Sequence, residues 1–307
     1  MSRWVAATAV AIALAVATAG CGLGPGPGTS NVRLTVTRDF GNSPLGSIIA
    51  SHVPGSETVM RMLERSFHVG TRYGGGFVES IDGRSGSSSE RDWFYYVNGV
   101  QASVGAAQTS VHRGDRIWWD LHDWSATDTI PAVVGSFPEP FIHGTGGKRL
   151  PTVLECAADA TAACTRVGAA LRSVGVPVAS QLLGTGSGTD SLAVLVGTWK
   201  DVHASFAGAL IEQGPASSGV YAKFASAGSS LELLDPHGRL ARTLGTGAGL
   251  IAATSQGSAP PTWLITGTDS AGVSAAAASL SPAGLTDHFA VAVQGGARLP
   301  VPLNGAT

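Results

Sequence analysis

The stretch Asp92–Trp124, DWFYYVNGVQASVGAAQTSVHRGDRIWWDLHDW, decides how the first part of this chain folds, and it holds four of its seven Trp. Asn98-Gly99 is a two-residue hairpin signal, because both residues tolerate the positive φ that a type I′ turn requires. Counting back from that turn sets Val97 opposite Val100, Tyr95 opposite Ala102 and Trp93 opposite Val104. That face is apolar and is expected to point into a core. A second turn, Arg113-Gly114-Asp115, leads into a strand over Arg116–Leu121. Side chains alternate along a strand, so Ile117, Trp119 and Leu121 share one face while Trp118, Asp120 and His122 share the other. If both less apolar faces look the same way, Phe94, Tyr96, Trp118, Asp120 and His122 form a half-exposed aromatic patch. These five are the candidate ligand-binding residues; covering by another part of the chain is the competing expectation.

Working outward from this stretch, Asn31–Arg38 alternates Val32, Leu34 and Val36 against Arg33, Thr35 and Thr37, the pattern of a half-buried strand. Ile48–Ser51 suits a short partner strand. Helical spacing of Val59, Met60, Leu63 and Phe67 predicts one helix over Glu57–Ser66, with Ser56 as its cap. Gly74-Gly75-Gly76 precedes a strand and not a helix, so it reads as a turn and not a phosphate cradle. One helix on a curved mixed sheet predicts a β-grasp-like α+β unit over about 32–128.

Five motifs occur in one order: Asp39-Phe40-Gly41; Glu57-Thr58-Val59-Met60-Arg61-Met62-Leu63; Tyr73-Gly74-Gly75-Gly76-Phe77-Val78; Trp93-Phe94-Tyr95-Tyr96-Val97-Asn98-Gly99; and Gly114-Asp115-Arg116-Ile117-Trp118-Trp119. In that order they resemble the transcobalamin-like C-terminal domain, a bacterial surface domain of unknown function. That domain is similar to the small β-rich domain that closes over the corrinoid in transcobalamin and intrinsic factor. The resemblance covers about residues 32–124. It implies a corrinoid as a bound ligand, delivered to an uptake transporter. A planar macrocycle would suit the aromatic patch, with His122 approaching the metal centre. The large helical domain of the vertebrate carriers has no counterpart here.

The start of the chain reads as a targeting segment. Arg3 is a minimal charged region, Trp4–Ala19 is apolar, and Thr18-Ala19-Gly20-Cys21 fits a lipoprotein cleavage box, although Thr18 stands where Leu is usual. Residues 1–20 are therefore expected to be removed and Cys21 to carry lipid, with simple secretion as the alternative. Residues 21–31 are a Gly/Pro-rich tether. Cys156 and Cys164 then remain as an even pair in an exported protein, which reads as a disulfide. Eight residues of unbroken helix would hold their Cα atoms roughly 12 Å apart, against the ~4.4–6.8 Å that a bridge needs, so the intervening segment must bend.

Residues 129–150 are rich in Pro and Gly and are expected to be a linker. Beyond it, 151–307 alternates strand and helix signals: strands near Thr152–Glu155, Leu192–Val196, Gly249–Thr254, Trp263–Thr266 and His288–Val293, with helices near Cys164–Val174, His203–Glu212 and Val273–Ser281. This predicts an α/β domain with βαβ units. Its role is not legible.

The formal net charge of −2, with 13% charged residues, leaves no basic field for nucleic acid. Of Asp120, His122 and Asp123, only Asp120 and His122 project to one side of the strand and no third ligand is local to them, so no metal site is expected. No nucleophile elbow, HExxH helix or P-loop occurs, so no catalytic residues are assigned and an enzyme is not expected. The reading is a lipid-anchored extracytoplasmic ligand-binding protein with no resident cofactor. The alternative is a cell-envelope module that contacts a protein or polysaccharide.

Overall fold

A computed structural model describes residues 28–86 and 90–304. The expected leader 1–20, the lipid site Cys21 and most of the tether lie outside the described residues.

The first unit runs β1 (Val32–Arg38), β2 (Ser43–Ala50), α1 (Val59–Ser66), β3 (Val69–Arg72), β4 (Phe77–Ile81), β5 (Arg84–Ser85), β6 (Arg91–Val97), β7 (Val100–Gln101) and β8 (Arg116–Asp123). Its main sheet has the order β2-β1-β8-β6-β7, with β1 and β8 parallel at the centre and antiparallel neighbours outside. This is the expected β-grasp-like arrangement. Val32, Leu34, Val36, Trp93, Ile117, Trp119 and Leu121 line one face and close on Val59, Met60, Met62 and Leu63 of α1. The helix starts two residues later than expected. Thr58, not Ser56, caps it by accepting from the Arg61 N–H at 3.3 Å. Asn98 and Gly99 have φ of 54° and 77°, as the turn demands. The hairpin is short: Val97 pairs with Val100 and the Ala102 N–H donates to the Tyr95 carbonyl at 3.2 Å, but the pairing does not reach Trp93, which lies opposite Leu121 of β8 on the other edge of β6.

The second unit runs β9 (Thr152–Cys156), α2 (Thr161–Ser173), β10 (Val178–Leu182), β11 (Leu192–Val196), α3 (Trp199–Val202), α4 (Phe206–Gln213), α5 (Pro215–Ser218), β12 (Ala222–Phe224), β13 (Leu231–Leu234), β14 (Leu240–Leu244), β15 (Gly249–Thr254), β16 (Thr262–Gly267), α6 (Ser270–Ser279), α7 (Pro282–Leu285), β17 (Ala290–Gln294) and β18 (Ala297–Val301). Seven strands form one sheet in the order β10-β9-β11-β16-β15-β17-β18. β10, β9, β11 and β16 are mutually parallel, which suits the continuous apolar run Leu192–Val196. One face carries α2 and α6. The other carries α4 and the small sheet β12-β13-β14. The helix expected over His203–Glu212 starts three residues later, at Phe206, where the Ser205 hydroxyl caps it by accepting from the Gly208 N–H at 3.1 Å, and Trp199–Val202 ahead of it forms a separate short turn.

Residues 129–150 are not a free linker. Ala132 to Phe141 is buried throughout. The Val133 N–H donates to the Gly99 carbonyl at 2.8 Å and the Val134 N–H to the Phe289 carbonyl at 3.1 Å. Apolar Ile130, Val133, Val134, Phe137 and Phe141 outweigh the local effect of the prolines and sew the segment between both units.

Cys156 and Cys164 are bonded, with Cα atoms 5.9 Å apart. The bend that makes this possible lies between the end of β9 and Thr161. Closing so small a loop removes roughly 2–3 kcal/mol of unfolded-chain entropy. The double substitution Cys156→Ser/Cys164→Ser is expected to lower the unfolding free energy by about that amount in urea melts. An unchanged midpoint with an unchanged slope would show that the bridge contributes nothing.

Candidate functional site

Asp39, Phe40 and Gly41 have φ of 60°, 58° and 82°, three left-handed residues in succession. Such a run is unfavourable for non-glycine residues but turns successive N–H groups towards one point, a concavity that takes an anion. The anion here is the chain's own. Asp120 accepts from the Phe40 N–H at 3.0 Å and the Gly41 N–H at 2.9 Å. It also accepts from the Thr37 hydroxyl at 2.5 Å, and the Trp118 indole N–H donates to that hydroxyl at 2.7 Å. His122 Nδ1 lies 2.9 Å from the same carboxylate. Asp120 is fully buried. Gly41 is required twice over, since a Cβ there would also meet the Asp287 carbonyl oxygen.

The His122 ring stacks between Phe40 and Phe94, at centroid distances of 4.7 and 4.5 Å. Phe289, from the second unit, sets its ring edge-on to Phe40, Tyr96, Trp118 and His122. All five candidate ligand-binding residues therefore do come together on one face. The expectation that this face is half-exposed is corrected: Tyr96, Trp118, Asp120 and His122 are buried and Phe94 is partly buried. The second unit covers them, because a contiguous aromatic layer gains more from packing than from water. Burial holds the Tyr96 and Tyr221 phenols well above their ordinary pKa, with the nearby Asp120 and Asp123 carboxylates adding to the rise.

An open site lies elsewhere. A cleft of about 710 Å³ separates the two units. One wall is the β6–β7 hairpin and the loop after it, including Val97, Val100, Gln101, Ala102 and Thr109. The other is formed by loops that precede β9, β11 and β16, including Leu150, Thr189, Asp190, Ser258, Ala259 and Pro261. The cleft thus sits at the amino ends of the parallel strands, opposite the end at which α/β sheets usually bind ligands. Eight hydroxyl side chains line it: Ser103, Thr109, Ser110, Thr129, Thr145, Thr189, Ser255 and Ser258. Lys148 and Asp190 bring the charges, with His112 beside Asp115 at 3.5 Å. No Phe, Tyr or Trp is among its lining residues. Sequence reasoning missed this site, since its walls come from segments more than 160 residues apart and Val97, the one lining residue inside a quoted motif, was read only for the hairpin. The Ser/Thr/Gly-rich loops were its one available signal.

Among the described residues, no group of three or more His, Cys, Asp or Glu is placed to hold a metal ion. No helix among them is long and apolar enough to cross a membrane.

Residues 56–123 match the family described as a domain of unknown function, DUF4430. The match runs from just before α1 to the end of β8 and leaves β1 and β2 outside. A solved structure described as "a putative metal binding protein from Ruminococcus gnavus ATCC 29149" is similar over 31% of this chain and 97% of its own, at 19% identity and a TM-score of 0.25. That likeness is too shallow to carry a metal site across. No curated protein matches.

Removing the buried carboxylate leaves the Phe40 and Gly41 N–H groups without their acceptor and strips Thr37 and His122 of their shared partner. Asp120→Ala is expected to cost about 3–5 kcal/mol in chemical denaturation, the scale for breaking a buried charged network. A loss under ~1 kcal/mol would show that the left-handed turn is held by something else.

Proposed function

We propose that this protein is an exported, membrane-anchored binding protein whose ligand occupies the cleft between its two units. The observation that carries the reading is the cleft itself: a cavity in the size range of small-molecule sites, walled by loops from both units. Its hydroxyl-rich lining and few charges favour a neutral ligand that hydrogen-bonds along its length. Export and anchoring rest on the apolar leader followed by Ala19-Gly20-Cys21, and the disulfide fits an oxidising compartment. A corrinoid, as the transcobalamin-like resemblance implies, is the finer form of the same reading. It would have to use the cleft, because the aromatic face is covered. The cleft has no aromatic shelf for a macrocycle, so a smaller polar ligand fits better. No catalytic role is proposed.

The test is native mass spectrometry of the purified protein after exposure to a desalted small-molecule extract. A retained adduct that disappears in Ala102→Trp and in Ala259→Trp, which fill the cleft from opposite walls, supports the assignment. An adduct that survives both, or none at all, removes it. Cobalamin and cobinamide are titrated in parallel against tryptophan fluorescence; absence of saturable quenching at high micromolar ligand ends the corrinoid version alone.

Anchoring is checked separately. Cells fed an alkyne fatty acid are expected to label the wild-type chain, while Cys21→Ser abolishes the label and moves the protein into the soluble fraction. An unlabelled wild-type chain would mean simple secretion.

A further inference from the structure

A second recess, of about 380 Å³, lies at the other end of the sheet face that holds Asp120. Arg33, Arg113 and Arg116 line it. Arg33 and Arg116 are register partners on the central parallel pair β1 and β8, so two like charges stand directly opposite each other. Such a pairing is destabilising unless something negative sits between or above it. The structure offers little that is free to do so. Glu139 is buried and taken up by His143, through its N–H at 2.8 Å and its Nδ1 at 2.6 Å. Asp115 is buried and accepts from Asn98 and from the His112 N–H. Asp287 feels the charge of Arg33 but makes no ion pair with it. Among the described residues neither Arg33 nor Arg113 enters an ion pair at all.

Arg116 is held in place from the other side. Its guanidinium donates to the Phe137 carbonyl at 2.7 Å and the Ser136 carbonyl at 3.4 Å, both on the buried segment between the units. Burial lowers its pKa, Glu139 pulls it back up, and Arg33 lowers it again. The group is thus fixed by neutral acceptors, and the carboxylate that acts on its charge, Glu139 in the wall of the same recess, is already engaged by His143. Ile49, opposite Arg33 on β2, is 63% exposed and forms an apolar lip with Ile142.

We propose that Arg33, Arg113 and Arg116 form a binding site for the oxyanion group of a small organic molecule whose apolar body rests on Ile49 and Ile142. Guanidinium forks match phosphoryl and carboxylate oxygens in pairs, which an ammonium does not. A bound oxyanion would add negative charge beside Arg33 and Arg116 on the adjacent strands β1 and β8. This site is independent of the interdomain cleft, and either assignment stands if the other fails.

The full-length protein is titrated with inorganic phosphate in one arm and succinate in the other, at constant ionic strength in sodium chloride, reading the arginine Nε–Hε signals by NMR. Saturable shifts of the three side chains at low millimolar concentration or below are expected in at least one arm. The arm that saturates tighter names the group. Arg113→Ala and Arg33→Gln are each expected to weaken binding tenfold or more. Arg33→Gln has a second signature: it melts higher than the parent in chloride alone, because the opposed charges are relieved, and it loses the anion-induced rise in Tm. Non-saturable shifts in both arms overturn the proposal, as do titration curves unchanged in the two variants.

Discussion

A carboxylate held by backbone N–H groups is the interaction on which this structure turns. Asp120 gathers a left-handed turn, a hydroxyl, an indole and an imidazole around one buried charge. Each of those groups in turn fixes an aromatic ring. Phe40 is carried by the turn, Trp118 is tied through Thr37, and His122 sits between Phe40 and Phe94. The result is a rigid aromatic layer with its one charge satisfied from within. Only such a layer can be buried cheaply, since an unpaired charge at the same place would forbid it. Phe289 then docks on it, and the two units become one body.

Much of the first unit was legible because its local signals agree with one another. The Asn98-Gly99 turn, the alternation along β1, β6 and β8 and the spacing of Val59, Met60 and Leu63 all specify the same sheet and helix. The face assignments of Trp93 and Tyr95 against Phe94 and Tyr96 follow from the period of two alone. What alternation could not say is what lies above each face. Phe289 is almost 200 residues from Phe94 in sequence, and nothing in its own neighbourhood marks it as a lid. The segment 129–150 misled for a related reason: proline content speaks for irregular backbone, not for exposure. In the second unit most strands and the three longer helices were readable as types, but β10 and β18, exposed along much of their length, and the four-residue helices α3, α5 and α7 were not. The Cys156–Cys164 pairing was readable because, once Cys21 is set aside as the expected lipid site, two cysteines remain and each has one partner.

The placement of the open cleft follows from the same docking. The carboxyl ends of the parallel strands are occupied by the disulfide, by Thr198 with Asp201 and by Asp269, which caps α6. Those polar groups are spent on the chain itself. At the amino ends the loops are built of Ser, Thr, Gly and Pro and face the first unit across a gap. The recess lined by arginines lies instead between β1, β8 and the segment 138–143, whose neighbour Phe137 accepts from Arg116 of β8. The cleft exists because two sheets of different architecture share one boundary, whereas the recess is walled by the first unit and the connecting segment alone.

The matched region, residues 56–123, omits β1, yet β1 is the strand that sits between β2 and β8 in the middle of its sheet and brings the left-handed turn to Asp120. Recognisable sequence and self-sufficient fold are thus different intervals of this chain. A fragment trimmed to the former would lack a central rung, and one trimmed at residue 128 would turn Tyr96, Trp118 and Phe94 outward as an adhesive slab. Whoever shortens this protein for experiment has to keep the tail that wraps back over its own beginning.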